Sequence, residues 1–399
     1  MHSKFISFDT FLSSHQEYWR LDPFHLCQAS TLPWYRAKPN LNAWLNSLDS
    51  SSIQSLKSCP SKLVEEMERF FPMLESIKHL CVLPQYQLGG LDLPKGADVG
   101  IPGRKLTQIL AMGEAALDYH EGSEWLEWCA GKGFLGRILS SQSQQKVTSF
   151  EWQNSLCING QAEADKQSLN MQFVQGDAFS DTSDHVFNSC QHAVALHACG
   201  DLHTELLRKV SQHALPAVSI SPCCYHLIQS EHYLPLSERA KQSKLELSKS
   251  DLRIPLQETV TGGERVKRHR QLEMTFRLGL CQLLKTQVGI KQYITVPSIK
   301  KSQLAEGFKA FCLWAAAEKE IKLPTPIDFG HYQQQGEALY WEMEKLSLVQ
   351  QVFRRPLELW LALDRGMYLQ EQGYQVDISQ FCDKQVTPRN ILIHGHKRN

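Results

Sequence analysis

Apolar and polar positions change period several times along the 399 residues, and the changes sketch the elements. From Leu126 onward, short apolar runs alternate with longer amphipathic stretches. Residues 125–128, 147–151, 171–175, 192–197 and 217–221 read as five strands, and helical spacing fills the gaps, most clearly over 201–214. This alternation predicts a parallel sheet with helices on both faces, right-handed connections and a ligand at the strands' carboxyl ends. Near the end of the chain, 357–373 predicts an amphipathic helix stopped by glycine. Strands at 374–381 and 390–394 follow, joined by a turn around Thr387-Pro388. The expected fold class is α/β: a Rossmann-like seven-stranded sheet, parallel with a C-terminal antiparallel hairpin, plus a helical N-terminal region and a helical insertion.

The remaining segments lack this alternation. Residues 56–80 carry helical spacing (Leu63, Met67, Phe70, Phe71, Leu74, Ile77) that Pro72 should kink or split. Residues 89–103 hold five glycines with Pro94 and Pro102 and read as a connector, followed by a helix over 105–119. The expected segmentation is a helical accessory region at 1–100, a ligand-binding core at 101–228, a mostly helical basic insertion at 229–355, and the rest of the core at 356–399.

Composition narrows the class. Hydrophobic residues at 42% and charged residues at 21% describe a globular protein. The formal net charge is zero, so any attraction to a polyanion must be local. It is: residues 228–330 hold 17 Lys/Arg against 11 Asp/Glu, whereas residues 1–100 hold 9 against 10. The sharpest run is Arg265-Val-Lys-Arg-His-Arg270, where Arg265, Lys267, Arg268 and Arg270 suit a phosphate backbone such as RNA; a solvated helix face is the competing reading. The N-terminal stretch lacks the apolar core of a signal peptide, and no run approaches the length of a membrane span. With that, twelve cysteines suggest reduced thiols and a cytoplasmic location.

The chemistry centres on Glu124-Trp-Leu-Glu-Trp-Cys-Ala-Gly-Lys-Gly-Phe-Leu-Gly-Arg137, which reads as strand, glycine turn and helix start. Glycines there let the backbone approach a nucleotide-like ligand without a Cβ in the way. Gly131-x-Gly133-x-x-Gly136 fits the dinucleotide fingerprint, with Glu151 where a ribose-binding acid belongs. Glu127-x-Cys129-x-Gly131-x-Gly133 equally fits the acid-x-Gly-x-Gly pattern used for S-adenosyl-L-methionine, with Cys129 in place of one glycine. Glu127 would face the cationic methionine end of that ligand, whereas it would repel a pyrophosphate. A third reading is an ordinary tight turn. Downstream, Glu151 can accept both ribose hydroxyls and Asp177 the adenine exocyclic amine. The terminal hairpin favours S-adenosyl-L-methionine over NAD.

Two further motifs fall at carboxyl ends of strands. His197-Ala-Cys-Gly-Asp201 closes the fourth and Ser221-Pro-Cys-Cys-Tyr-His226 the fifth. His197, Asp201 and His226 are candidate general bases or orienters, and Tyr225 could stack on a flat substrate or pack on the sheet. Cys199, His203, Cys223, Cys224 and His226 could hold zinc, but without a Cys-x-x-Cys pair no metal is expected.

Taken together, these pieces resemble a class I S-adenosylmethionine-dependent methyltransferase. Trp128-Cys-Ala-Gly-Lys-Gly-Phe-Leu-Gly-Arg137, Ala195-Leu-His-Ala-Cys-Gly-Asp-Leu202, Pro222-Cys-Cys-Tyr-His226 and Thr387-Pro-Arg-Asn390 resemble the branch of GST-C-terminal-domain-containing and ribosomal-RNA-adenine-dimethylase-domain-containing proteins. The resemblance implies cofactor binding by Glu127, Cys129, Ala130, Gly131, Gly133, Leu135, Glu151, Asp177 and Ala178. It implies a catalytic pocket of His197, Asp201, Cys223, Cys224, Tyr225 and His226. Adenine-N6 enzymes carry Asn/Asp-Pro-Pro-Tyr/Phe after the fourth strand; this chain has His-Ala-Cys-Gly there, so that chemistry does not follow. The expected function is S-adenosyl-L-methionine-dependent methylation of RNA, with a protein methyltransferase or a non-catalytic interaction module as alternatives.

Overall fold

The computed structural model describes all residues except 30, 94, 95, 97, 258–262, 398 and 399, and leaves the His197 side chain undescribed. The chain divides into two compact units. One comprises Met1–Ser14, Glu75–Thr261 and Arg354–Asn399; the other comprises His15–Leu74 and Gly262–Phe353.

The first unit is built on seven strands in the order β3-β2-β1-β4-β5-β7-β6. They are β1 (Glu124–Trp128), β2 (Lys146–Glu151), β3 (Met171–Gln175), β4 (Gln191–Cys199), β5 (Ala217–Cys223), β6 (Tyr374–Gln380) and β7 (Ile391–Lys397). The first five pair in parallel, and β7 runs antiparallel to both β5 and β6. Chain order reverses between β1 and β4, which opens a crevice at their carboxyl ends. The register aligns Glu127 with Ser149 and Cys199 with Cys223, the latter beyond an irregularity at Leu196/Cys199.

Helices α1 (Gly103–Asp118), α2 (Phe134–Ser143), α3 (Asn154–Lys166) and α4 (Asp201–Gln212) accompany this sheet. Ile109, Met112, Ala115, Trp125, Leu135, Ile138 and Val147 form one buried core. Small residues on α1 set the approach, since a Cβ on Gly113 would lie 3.1 Å from Ile138. The Gly/Pro connector before α1 is pinned by its backbone. Tyr86 N donates to Gln380 O (2.8 Å), Gly89 and Gly90 amides donate to the buried Glu114 carboxylate, and Arg137 donates to Val99 O (3.4 Å).

In the second unit, α5 (Glu264–Leu283) packs Phe276, Leu280 and Leu283 with Phe308, Phe311 and Tyr332. Helix α6 spans Phe329–Glu371 and contains Pro356, its residues from Arg354 onward belonging to the first unit.

Three expectations are corrected. The helix expected from Leu357 starts at Phe329 and passes through Pro356, because Val352, Phe353 and Leu357 on either side are all buried and packing outweighs one missing N–H. The helical stretch 56–80 is three helices, Ser50–Ser58, Pro60–Glu68 and Leu74–Leu80, with Pro60 at a helix start as well as a break before Leu74. The compact units divide between Phe353 and Arg354, close to the expected 355, but not at residues 100 and 228. Residues 229–257 and 75–100 belong to the sheet unit, because their polar groups bond there. Ser237 N and Oγ, for instance, donate to Asp364 at 2.8 and 2.7 Å.

Candidate active site

The glycine turn follows β1 directly. Cys129 takes φ +56°, Gly131 +61° and Gly133 +67°, so cysteine adopts the left-handed backbone that the turn requires of a glycine. The three glycines serve different ends. A Cβ on Gly133 would meet the Phe173 ring at 2.4 Å, and one on Gly136 would meet Glu127 Oε2 at 2.5 Å and Met171 at 2.8 Å. Those two seat α2 against the strands. A Cβ on Gly131 would meet nothing within 4 Å. The space above Gly131 is where a ligand can lie against bare backbone.

Glu151, at the end of β2, is buried and holds this turn: Oε2 accepts from Gly131 N (2.9 Å) and Oε1 from Gln153 N (2.9 Å). A carboxylate retains further lone pairs beyond these for ribose hydroxyls. Asp177, half-buried after β3, accepts from Phe179 N (3.0 Å) with Oδ1, and Ala178 beside it is buried. Two exposed aromatics flank these acids, Trp152 at 64% and Phe179 at 44%. Sequence reasoning passed over both; the available signal was an aromatic one or two positions beyond each strand-end acid.

Glu127 departs from expectation. It is buried beneath the turn, accepts from Ser149 Oγ (2.7 Å), and takes the first backbone amides of α2, those of Leu135 and Gly136. Burial pushes its carboxyl up to about 7, against these donors and Arg137. It caps a helix and does not face the crevice. Leu135 likewise puts its side chain in the core, so only its backbone belongs to the turn. Ala130 is half-buried, and its amide donates to Phe150 O (2.9 Å).

The second motif pair meets at the ends of β4 and β5. Gly200 has φ +58°, and a Cβ there would lie 1.8 Å from Leu227 O, so the two loops touch through backbone. Asp201 N donates to Leu227 O (3.0 Å), and its carboxylate accepts from Gln229 N (2.7 Å). Asp201 therefore ties the two loops together through its amide and its Oδ2. Tyr225 does not stack on a substrate. It is buried under the Arg365 guanidinium (4.9 Å to the ring centre) and edge-on to His203. His203 Nδ1 lies 2.9 Å from Ala198 O while Arg365 Nε donates to Nε2 (2.6 Å), so both ring nitrogens are engaged and the residue is removed from any ligand set; burial and Arg365 keep its ring neutral. His226 is half-buried with Nδ1 unpartnered among the described residues, and burial lowers its pKa. Cys199, Cys223 and Cys224 draw together, with 3.3 Å between the first two sulfurs. The expected site residue His197 lies on β4, and its side chain is outside the described residues.

With this geometry in hand, comparison with known proteins is informative. Residues 104–231 match the family model described as a methyltransferase domain. A Xenopus laevis glutathione S-transferase C-terminal domain-containing protein is 30% identical over 111 residues, covering 27% of this chain and 17% of that one. The chain thus spans about a sixth of the length of that relative. Solved structures that align include a Podospora anserina methyltransferase bound to S-adenosyl-homocysteine, at 8% identity, 93% of this chain and 100% of that one, TM-score 0.31. A Pyrococcus abyssi tRNA (uracil-54, C5)-methyltransferase aligns at 14% identity, 29% and 28% coverage, TM-score 0.25. The matched segment holds the glycine turn, Glu151, Asp177 and the paired cysteine motifs. Residues 104–231, about a third of the chain, are thus similar to a methyltransferase domain, for which the sequence resemblance implies S-adenosyl-L-methionine as cofactor.

Proposed function

We propose that the chain methylates RNA. The cofactor supplies an electrophilic methyl group on sulfur; the protein's task is to hold it and exclude water. Gly131 gives the ligand backbone to lie on, Glu151 accepts the ribose hydroxyls, and Asp177 accepts the exocyclic amine. Trp152 and Phe179 offer apolar faces to the purine. The acceptor atom belongs to the substrate, and His226, neutral at neutral pH with Nδ1 unpartnered, can take its proton.

The observation that carries the substrate class is the exposed basic start of α5. Arg265, Lys267 and Arg268 are exposed there. Lys267 pairs with Glu264 (2.8 Å), and Arg270 pairs with the buried Glu344 (3.5 Å), which Lys57 also meets. Arg270 is therefore tied to the fold, which leaves Arg265 and Arg268 as the better phosphate contacts. Protein methylation remains the second reading, and a non-catalytic module the third, favoured by the structural employment of Asp201 and Tyr225. The Cys-Cys-Tyr-His element supports the branch that includes GST-C-terminal-domain-containing proteins. None of the described cysteines forms a disulfide, which supports a reducing, cytoplasmic setting, and no described helix is long and apolar enough to cross a membrane.

The test is label transfer from methyl-labelled cofactor to total RNA and to total protein, for wild type and an Arg265→Ala/Arg268→Ala variant. Label in RNA that falls at least fivefold in the variant supports the proposal. Label confined to protein, or none anywhere, contradicts it.

A further inference from the structure

We propose that Cys199, Cys223 and Cys224 form a site for one thiophilic divalent cation of the zinc type, bound by three thiolates with a fourth coordination position open. The proposal does not depend on the identity of the methyl acceptor, and it reverses the sequence expectation of no metal.

Topology creates the site. Strands β4 and β5 are neighbours, and Cys199 and Cys223 are register partners at their carboxyl ends, with sulfurs 3.3 Å apart. Cys224 takes φ +45°, a left-handed backbone that a cysteine adopts only when its surroundings impose it. All three sulfurs lie within 4.8 Å of one another. Tetrahedral zinc–thiolate bonds of about 2.3 Å put sulfurs about 3.8 Å apart, so closing on an ion needs side-chain adjustment only.

The loops bearing these thiols are already fixed. Gly200 N donates to Cys223 O (3.3 Å), Leu227 N to Cys224 O (2.9 Å), and Ser221 Oγ to Arg389 O (3.2 Å). Asp201 and the Arg365–Tyr225 contact hold the same loop from either side. This is the support a ligand set needs in order to be preorganised.

Charge is provided for as well: the Arg389 guanidinium acts on Cys224 and offsets the accumulation of thiolates. No described histidine, cysteine or carboxylate joins the trio as a fourth member. A structural zinc site would be closed by four protein ligands; three with an open place is the pattern of a site that binds a further molecule. An all-sulfur set selects zinc-type ions over calcium or magnesium. Cys129, at the end of adjacent β1, is electrostatically coupled to Cys199, which puts the trio beside the cofactor turn.

Cobalt(II) serves as the probe, added to the reduced full-length chain under anaerobic conditions. The expected result is a thiolate-to-cobalt charge-transfer band saturating at one equivalent, with protons released to solvent on binding. Zinc should displace the cobalt and bleach the band. Cys224→Ser and Cys199→Ser should each weaken cobalt binding at least tenfold, and Cys190→Ser, an exposed thiol outside the trio, should leave it unchanged. Circular dichroism confirms that each variant is folded; should Cys199→Ser unfold, the half-buried Cys224→Ser decides alone. The proposal is overturned if reduced wild type gives no such band, if the band survives in Cys224→Ser, or if mass spectrometry of freshly purified protein finds Cys199 and Cys223 joined as a disulfide that reduction does not convert to a cobalt-binding form. Titration with S-adenosyl-L-methionine on the same samples keeps the readings apart: cobalt binding without cofactor binding would sink the proposed methylation and leave the metal site standing.

Discussion

Gly131 and Gly136 stand five positions apart in one turn and make opposite predictions. Gly131 faces open space at positive φ, so Gly131→Val should cost about 1–2 kcal/mol of backbone strain and lower cofactor affinity tenfold or more in a titration. Gly136 faces Glu127 Oε2 and Met171, so Gly136→Ala should unseat α2 and lower stability by about 1–3 kcal/mol, read from urea denaturation. Equal effects of the two on binding and stability would contradict this division. The glycine spacing was legible in the sequence, as were Glu151 and Asp177, because strand ends and turns have local signatures. Glu127 was misread because the motif gives its position but not its face: it lies on β1 opposite Ser149 and reaches under the turn to the first amides of α2. Tyr225 was undecided for a similar reason, since the Arg365 that covers its ring lies far along the chain.

The last helix holds the loop after β5 in place. Asp364 accepts from Leu236 N (2.9 Å), Ser237 N and Oγ, and Tyr233 Oη; Arg365 donates to His203, Leu361 O (2.7 Å) and Tyr233 Oη. Both side chains are fully buried. Removing one leaves the other polar groups stranded, so Arg365→Ala should lower stability by about 3–5 kcal/mol in urea denaturation. A change below about 1 kcal/mol would show the network to be dispensable. The apolar spacing of 357–363 made this helix readable. Its extent was not, since a proline at 356 ordinarily marks an end, and neither were Asp364 and Arg365, whose side-chain partners Tyr233 and His203 lie more than a hundred residues away.

At the scale of the molecule, acid should loosen the sheet unit. His192, His203 and His394 are buried and held neutral by burial, with nearby histidines or Arg365 adding to the effect; His394 is lowered to about 3. Their folded values lie below those of the unfolded chain, so the unfolded chain binds more protons in acid. Stability is then full above the ordinary histidine value of about 6.5 and is lost as pH falls below it, by up to about 1.4 kcal/mol per pH unit for each such ring. Glu127, raised to about 7, acts in the opposite sense: its contribution is present below the usual carboxylate range and is lost as pH rises through about 7. Three groups outweigh one below pH 6.5, so Tm should fall steadily from pH 6.5 towards 4. A flat profile would mean that these rings are accessible to protons in the folded chain. The histidine chain linking His192, Ser219 and His394 was invisible in the sequence, because β4, β5 and β7 bring it together from three separate segments.

The central claim is that residues 104–231 bind S-adenosyl-L-methionine at the turn, Glu151 and Asp177. The direct measurement is calorimetric titration of the folded wild type with that cofactor beside Asp177→Ala, whose carboxylate lies at the end of β3. The account predicts one site per chain, with affinity at least tenfold weaker in the variant and an unchanged Tm. No binding by folded wild type, or undiminished binding by the variant, would contradict it.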